Sequence, residues 1–327
     1  MRRLALELEG LRLPVIGAPM FQISTPALVI AQCTAGIVGA IPALNARPSA
    51  QLDEWLHEIT EALAAWNQRN PENPAAPFAV NQIVHSSNPR WETDVEICGR
   101  WEVPIIISSL GAREDLNRAV HAWGGITLHD VVSNRFGQKA IQKGADGLIA
   151  VAAGAGGHAG QQSPFALVQE IRSWFDGFLA LSGAIATGRS ILAALVLGAD
   201  MAYIGSLFIA TDEASATNEY KRALVDGDAG EIIYSRFFSG IHGNYLRASI
   251  VAAGLDPNDL PERDLRSTSA NGTVIEAKAW TDIWGSGQGI GVIRSVESVA
   301  ARVEHLRNEY LDARRSLKDS LGESVLP

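Results

Sequence analysis

The 327-residue chain has little of what several kinds of chemistry require. It holds two cysteines, Cys33 and Cys98, with no CxxC pair, which excludes a disulfide scaffold and leaves two core thiols in a reducing compartment. Its seven histidines form no HxH, HExxH or His-Asp cluster at ligand spacing, so a metal site is not expected. Positive charge is also short: 27 Lys and Arg stand against 36 Asp and Glu, for a formal charge of -9. No basic run exceeds Arg2-Arg3 or Arg314-Arg315, which argues against nucleic acid or another polyanion as partner. No window approaches eighteen uncharged apolar residues, so no membrane span is expected. The opening "MRRLALELEGLRLP" begins as a signal peptide does, but Glu7 and Glu9 interrupt its apolar part, and a cytoplasmic protein is expected.

What the chain does have is a globular composition, 47% apolar and 19% charged, and a regular alternation of apolar runs with amphipathic ones up to about residue 210. The runs at 13–20, 37–44, 77–84, 103–110, 125–131, 146–153, 177–185 and 200–208 read as strands. Between them lie helical stretches such as "SAQLDEWLHEITEALAAWNQ", with Leu52, Leu56, Ile59, Leu63 and Trp66 at helical spacing. Eight such βα units predict a (β/α)8 TIM barrel. The segments "QKGADGLIAVAAG" and "VLGADMAYIGSLF" repeat one connector, in which glycine closes a helix and aspartate leads into the next strand. Residues 213–290 break the alternation and predict a second, smaller, mainly helical domain. The tail, with Val296, Val299, Val303, Leu306 and Tyr310 on one side, predicts a helix returning to the barrel. The domains expected are therefore 1–212 with 291–327, and 213–290.

The unusual residues fall at the C-terminal strand ends, where barrels of this kind place their sites. They are Pro19 and Met20, Asn81 and Gln82, His129, the run Gly154 to Gly160, Ser182-Gly183-Ala184, and Gly205-Ser206. Glycine-bearing turns after the seventh and eighth strands expose backbone N–H groups to an anion, so Gly183, Ala184, Gly205 and Ser206 read as a phosphate grip. The run "GAGGHAG" also invites a dinucleotide fingerprint, with Asp176 twenty residues beyond Gly156. Its third glycine is one position late, and it follows a sixth strand, which disfavours that reading. His158 stands inside this run. Its imidazole either exchanges a proton with a substrate or donates to a loop carbonyl and stiffens the turn. His85 and His242, in loops, are candidates to line the cleft.

Taken together, "GAPM" on the first strand, "FAVNQ" on the third, "AGGHAG" after the sixth, "LSGAIATGRSILAALVLGADMAYIGSLFIAT" and "WGSGQGIGVI" make the chain resemble the nitronate monooxygenases, or 2-nitropropane dioxygenases. The FabK-type enoyl-acyl-carrier-protein reductases and NADH:quinone reductases are relatives of that family. The resemblance implies an FMN-dependent oxidoreductase that oxidises alkyl nitronates with O2 to a carbonyl compound and nitrite, with a homodimer as one expectation. It implies that Ala18, Pro19 and Met20 run beside the flavin, Asn81 bonds its polar edge, and Gly156 and Gly157 admit the ring. Gly183, Gly205 and Ser206 would hold the phosphate, with Ser182 and Ala184 also among the cofactor-binding residues, Gln288 would close the site, and His158 would be the catalytic base or a cation attracting the nitronate.

The sequence departs from that family's pattern in three places. The usual glutamate of the glycine-histidine loop is missing, since Ala153 and Gly154 stand five and four before the histidine. Ala184 replaces a glycine, and Ser206 replaces a threonine while keeping the hydroxyl. The alternative activity is an FMN-dependent NAD(P)H reductase of quinones or enoyl thioesters. A third reading is a flavin-binding protein without turnover, in which Trp280 and Trp284 anchor a partner.

Overall fold

The computed structural model describes residues 8, 10–260 and 280–321. Each of the eight expected apolar runs contains a strand: β1 (Val15–Gly17), β2 (Gly39–Pro42), β3 (Phe78–Ile83), β4 (Ile105–Ser109), β5 (Ile126–Val131), β6 (Gly147–Val151), β8 (Phe178–Ser182) and β9 (Met201–Ile204). They form one parallel sheet in the order β1-β9-β8-β6-β5-β4-β3-β2, and the bridge between Ile16 and Val38 joins its two edges. The result is a barrel with helices around it. Among the described residues no helix is long and apolar enough to cross a membrane.

Strand periodicity explains the core. Alternate residues point inward, and Ile16, Ala40, Ala79, Ile107, Leu128, Ile149, Ala180 and Met201 fill the barrel as one apolar cluster. The intervening residues, such as Val80, Ile106, Leu148 and Leu179, pack outward against the helices. Helix Ser49–Arg69 buries Leu52, Leu56, Ile59 and Leu63 as the spacing predicts. The repeated connector does the same work twice. Asp146 accepts from the Thr127 N–H at 2.7 Å and Asp200 from the Leu179 N–H at 2.8 Å, so each carboxylate ties a new strand to the one before it.

The tail helix Val299–Leu321 packs on helix Gly188–Leu197 through Val299, Val303 and Leu306. Val296 precedes that helix and is exposed, contrary to its expected place on the inner side. Thr187 caps the start of Gly188–Leu197 in a reciprocal pair with Ser190.

Segment 213–290 begins with a helix, Asn218–Asp226, and carries a second, Arg247–Ala252. Between them the structure differs from a helical reading. Ile232–Ser235 (β10) and Gly243–Leu246 (β11) form an antiparallel hairpin that also pairs with the two-residue strand Gly157–His158 (β7). Gly227 and Gly230 end the helical pattern, and the Ile232-Ile233-Tyr234 run that follows favours a pleated strand. Tyr220, Leu224, Leu246 and Ile290 share an apolar cluster with Val15, Ile204 and Phe208 of the barrel. Most of the polar stretch beginning at Leu255 lies outside the described residues.

Gly188 sets how closely the tail helix approaches. A Cβ there would stand 2.1 Å from the Tyr310 N and 2.4 Å from the Leu306 O, both backbone atoms. Gly188→Ala therefore forces the two helices apart, at a cost of about 1–3 kcal/mol. Thermal unfolding of the variant is expected several degrees below the parent; an unchanged midpoint would contradict this packing.

Candidate active site

The top inward layer of the barrel is polar where the layers below are not. It consists of Ala18, Pro42, Asn81, Ser109, Asp130, Val151, Ser182 and Tyr203, one from each strand or its end, and all of them line a cavity of about 1260 Å³. That volume exceeds the roughly 300–1,000 Å³ of an ordinary ligand site, so it has room for a cofactor and a substrate together. The wall also includes Pro19, Met20, Gly156, Gly157, His158, Gly183, Ala184, Gly205 and Ser206. Of the thirteen residues expected at the site from sequence, Gln288 alone is not part of the wall. It is exposed, and its backbone N–H donates to the Gly154 carbonyl at 2.9 Å.

The polar layer is wired together. Asn81 Nδ2 donates to the Ile107 carbonyl at 3.0 Å and to Ser109 Oγ at 2.7 Å. Ser109 Oγ in turn donates to Asp130 Oδ2. Burial pushes the Asp130 carboxyl up to about 6, against the pull of the Ser109 hydrogen bond. The Tyr203 phenol is held protonated by burial and, secondarily, by the nearby Asp130 charge.

The glycine run is explained by close backbone packing. Gly154 and Gly157 have φ of +84° and +70°, which favour glycine. A Cβ on Gly156 would meet the Gly287 N at 2.9 Å, and one on Gly287 would meet the Gly154 O at 2.5 Å. The loop after β6 and residues 285–289 therefore touch backbone to backbone. Asn244 Nδ2 fixes the same loop by donating to the Ala155 carbonyl at 2.6 Å.

His158 hangs from this loop, paired through β7 with Gly243 of the hairpin. Its Nε2 lies 3.0 Å from Ser239 Oγ, and the Trp280 ring meets it edge-on at 5.1 Å. Ser239 Oγ donates to the Ile241 carbonyl at 3.0 Å, so it accepts from His158. That network assigns the proton to Nε2 and leaves Nδ1 as the basic atom of the ring. Burial pushes the imidazole down to about 4, so it is neutral near pH 7. Of the two roles the resemblance implies for His158, base or cation, these surroundings favour the neutral ring.

At the turns after β8 and β9, beside this loop, the backbone N–H groups of Gly183, Gly205 and Ser206 make no hydrogen bond among the described residues. Ser206 Oγ accepts from the Gly287 N–H at 2.8 Å and keeps its own hydrogen to donate. Ala184 takes φ +54°, a left-handed conformation, where it replaces the glycine of the family pattern.

Other sequence expectations meet different outcomes. His85 and His242 do line the cavity. His129 also borders the cavity, but its ring reaches outward to Asn117 Oδ1 at 3.3 Å, because its place on β5 is out of phase with Asp130. Trp284 stacks on Tyr220 with ring centres 4.7 Å apart, and Trp280 packs on His158 and Tyr245, so both indoles are engaged within the chain. Sequence reading passed over Ser109, Asp130, Tyr203 and Ser239. The first three were findable by counting every second residue from the apolar ones on their strands; Ser239 had no local signal.

The nitronate monooxygenase family model matches residues 2–309. A nitronate monooxygenase of Paraburkholderia phytofirmans is 29% identical over 300 residues, covering 78% of this chain and 79% of that protein. Among solved structures, the nitroalkane oxidase of Streptomyces ansochromogenes superposes with a TM-score of 0.78 at 21% identity, over 97% of this chain and 100% of the other. FabK from Thermotoga maritima superposes with a TM-score of 0.77 at 22% identity, over 97% and 98%. These two likenesses show a shared barrel fold. The match of the family model over nearly the whole chain goes further: this protein belongs to the nitronate monooxygenase family of oxidoreductases.

Proposed function

We propose that the protein is an FMN-dependent enzyme that oxidises alkyl nitronates with O2 to a carbonyl compound and nitrite. The observation that carries this reading is one cavity that joins unpartnered backbone N–H groups, a glycine wall, a polar layer and an imidazole. The residues fit FMN. Gly183 is buried, its N–H has no partner among the described residues, and its φ of +144° together with a Cβ position only 2.8 Å from the Ala153 O restricts this wall position to glycine. With Gly205 and Ser206 it would hold the phosphate, beside Ser182 and Ala184. Ala18, Pro19 and Met20 would flank the ring, with Gly156 and Gly157 allowing close approach. Asn81 would accept from the ring's polar edge, and Gln288 would brace the rim through Gly154. When bound, FMN supplies an electron acceptor for the substrate and a donor to O2.

His158 then contributes a neutral imidazole whose Nε2–H is held by Ser239 and whose Nδ1 can take a proton. An anionic substrate beside it would raise its proton affinity from the depressed value, so that positive charge develops where the anion sits. Segment 213–290 serves as the cap that positions this ring, through the hairpin and Trp280.

A second reading, NAD(P)H-dependent reduction of a quinone or enoyl thioester, is favoured by the size of the cavity and its apolar mouth. Leu110, Val132, Phe136 and Ile241 are exposed there, more apolar surface than a small nitronate would cover.

Anaerobic mixing of the FMN-loaded protein with an alkyl nitronate is expected to bleach the flavin band, with oxygen restoring it and nitrite released. A band that ignores nitronate while NADH bleaches it would transfer the assignment to the reductase reading. His158→Ala is expected to keep FMN bound and to lower kcat/KM for the nitronate by about a hundredfold; full activity in the variant would remove His158 from the chemistry.

A further inference from the structure

The strand register brings a carboxylate into the polar layer that neither the family resemblance nor the reading above uses. Asp130 lies on β5 in phase with Ile126 and Leu128 of the barrel interior, half-buried, with its exposed part on the cavity wall. Its Oδ2 accepts the Ser109 hydroxyl hydrogen. Ser109 Oγ can donate only once, so it receives Asn81 Nδ2 as an acceptor. The second hydrogen of that amide goes to the Ile107 carbonyl, which can only accept. The orientation of Asn81 is thereby decided, and both of its donors are consumed by the protein.

We propose that Asp130 is a positioning residue of the cavity: through Ser109 it locks the Asn81 amide so that only the acceptor Oδ1 faces the ligand, and its carboxylate sets the charge that a bound flavin meets. The inference rests on the FMN reading and adds to it a specific control of the flavin. Asn81 offers a ring N–H an acceptor and offers a ring carbonyl nothing. The carboxylate opposes the arrival of negative charge on the ring, and its protonation relieves that opposition. Because burial raises Asp130 to about 6, this switch falls in an accessible pH range, with the carboxylate present above it and the acid below. Other titratable or charged groups share the wall: Tyr203 from β9, His129 from β5, His158 from β7, His85 from the loop after β3, Tyr234 and His242 from the hairpin, Tyr220 from helix Asn218–Asp226 and Lys139 from helix Asn134–Gln142. A difference between parent and Asp130→Asn isolates Asp130 from them.

The test compares the flavin reduction potential of the FMN-loaded parent and Asp130→Asn from pH 5 to pH 8. The parent is expected to lie below the variant at pH 8 and to converge on it towards pH 5, as the carboxylate takes its proton. Equal potentials throughout, or a gap that does not change with pH, would overturn the proposal, since a merely structural aspartate moves stability and leaves this convergence absent. The parent alone gives a second measurement independent of any variant's folding: its flavin absorption spectrum should titrate between pH 5 and pH 8, and a spectrum constant across that range counts against the proposal. Ser109→Ala, which cuts the link, is expected to raise the FMN dissociation constant about fivefold; unchanged affinity would show that Asn81 does not depend on it. A parent protein that takes up no FMN would overturn the flavin reading itself, whereas normal uptake with pH-independent behaviour overturns this inference alone.

Discussion

The site depends on a contact with no side chains in it. The loop after β6 and residues 285–289 approach so closely that a single Cβ on Gly156 or Gly287 would collide with backbone of the other segment. Gly154 O holds the contact by accepting from both Gln288 and Ala184 at 2.9 and 3.3 Å. Through it the β6 loop, the turn after β8 and the far end of segment 213–290 are tied at one point. His158 takes its position from that loop and from the hairpin on its other side, so its geometry is set by two elements distant in sequence. This is why four glycines, Gly154, Gly156, Gly157 and Gly160, gather around one histidine.

Beneath the contact, the barrel supplies a floor by period-two alternation alone. Apolar residues fill the interior up to the layer of Leu128 and Ile107, and one step further along the same strands come Asp130 and Ser109. The change from apolar to polar within two residues marks where the packed core stops and the cavity starts. Burial then sharpens the chemistry on both walls, raising the carboxyl of Asp130 and lowering the imidazole of His158. The imidazole is thereby neutral near pH 7, while Asp130 changes its charge close to neutrality and is a carboxylate above about pH 6.

Much of this was legible in the sequence because parallel strands buried on both faces are continuous apolar runs. Every barrel strand lies inside the run expected for it, and the turns after β8 and β9 carry the glycines Gly183 and Gly205 on the cavity wall. The hairpin Ile232–Leu246 was not legible, since its four-residue strands sit within a pattern that otherwise repeats like a helix. Asp130 was hidden by its neighbour: His129 drew attention as a histidine at a strand end, yet the phase of β5 turns it to Asn117 and aims the aspartate inward. The protonation state of His158 was beyond local sequence because Ser239, Trp280 and Tyr245, which enclose it, lie about 80 to 120 residues away.

The most direct test of the cavity as an FMN site is to titrate cofactor-free protein with FMN and, separately, with riboflavin, following flavin fluorescence. If the unpartnered N–H groups of Gly183, Gly205 and Ser206 hold the FMN phosphate as proposed, one FMN binds per chain and riboflavin binds about a hundredfold more weakly, the cost of leaving several charge-assisted hydrogen bonds unmade. Equal affinities for the two, or no saturable binding of either, would contradict the account.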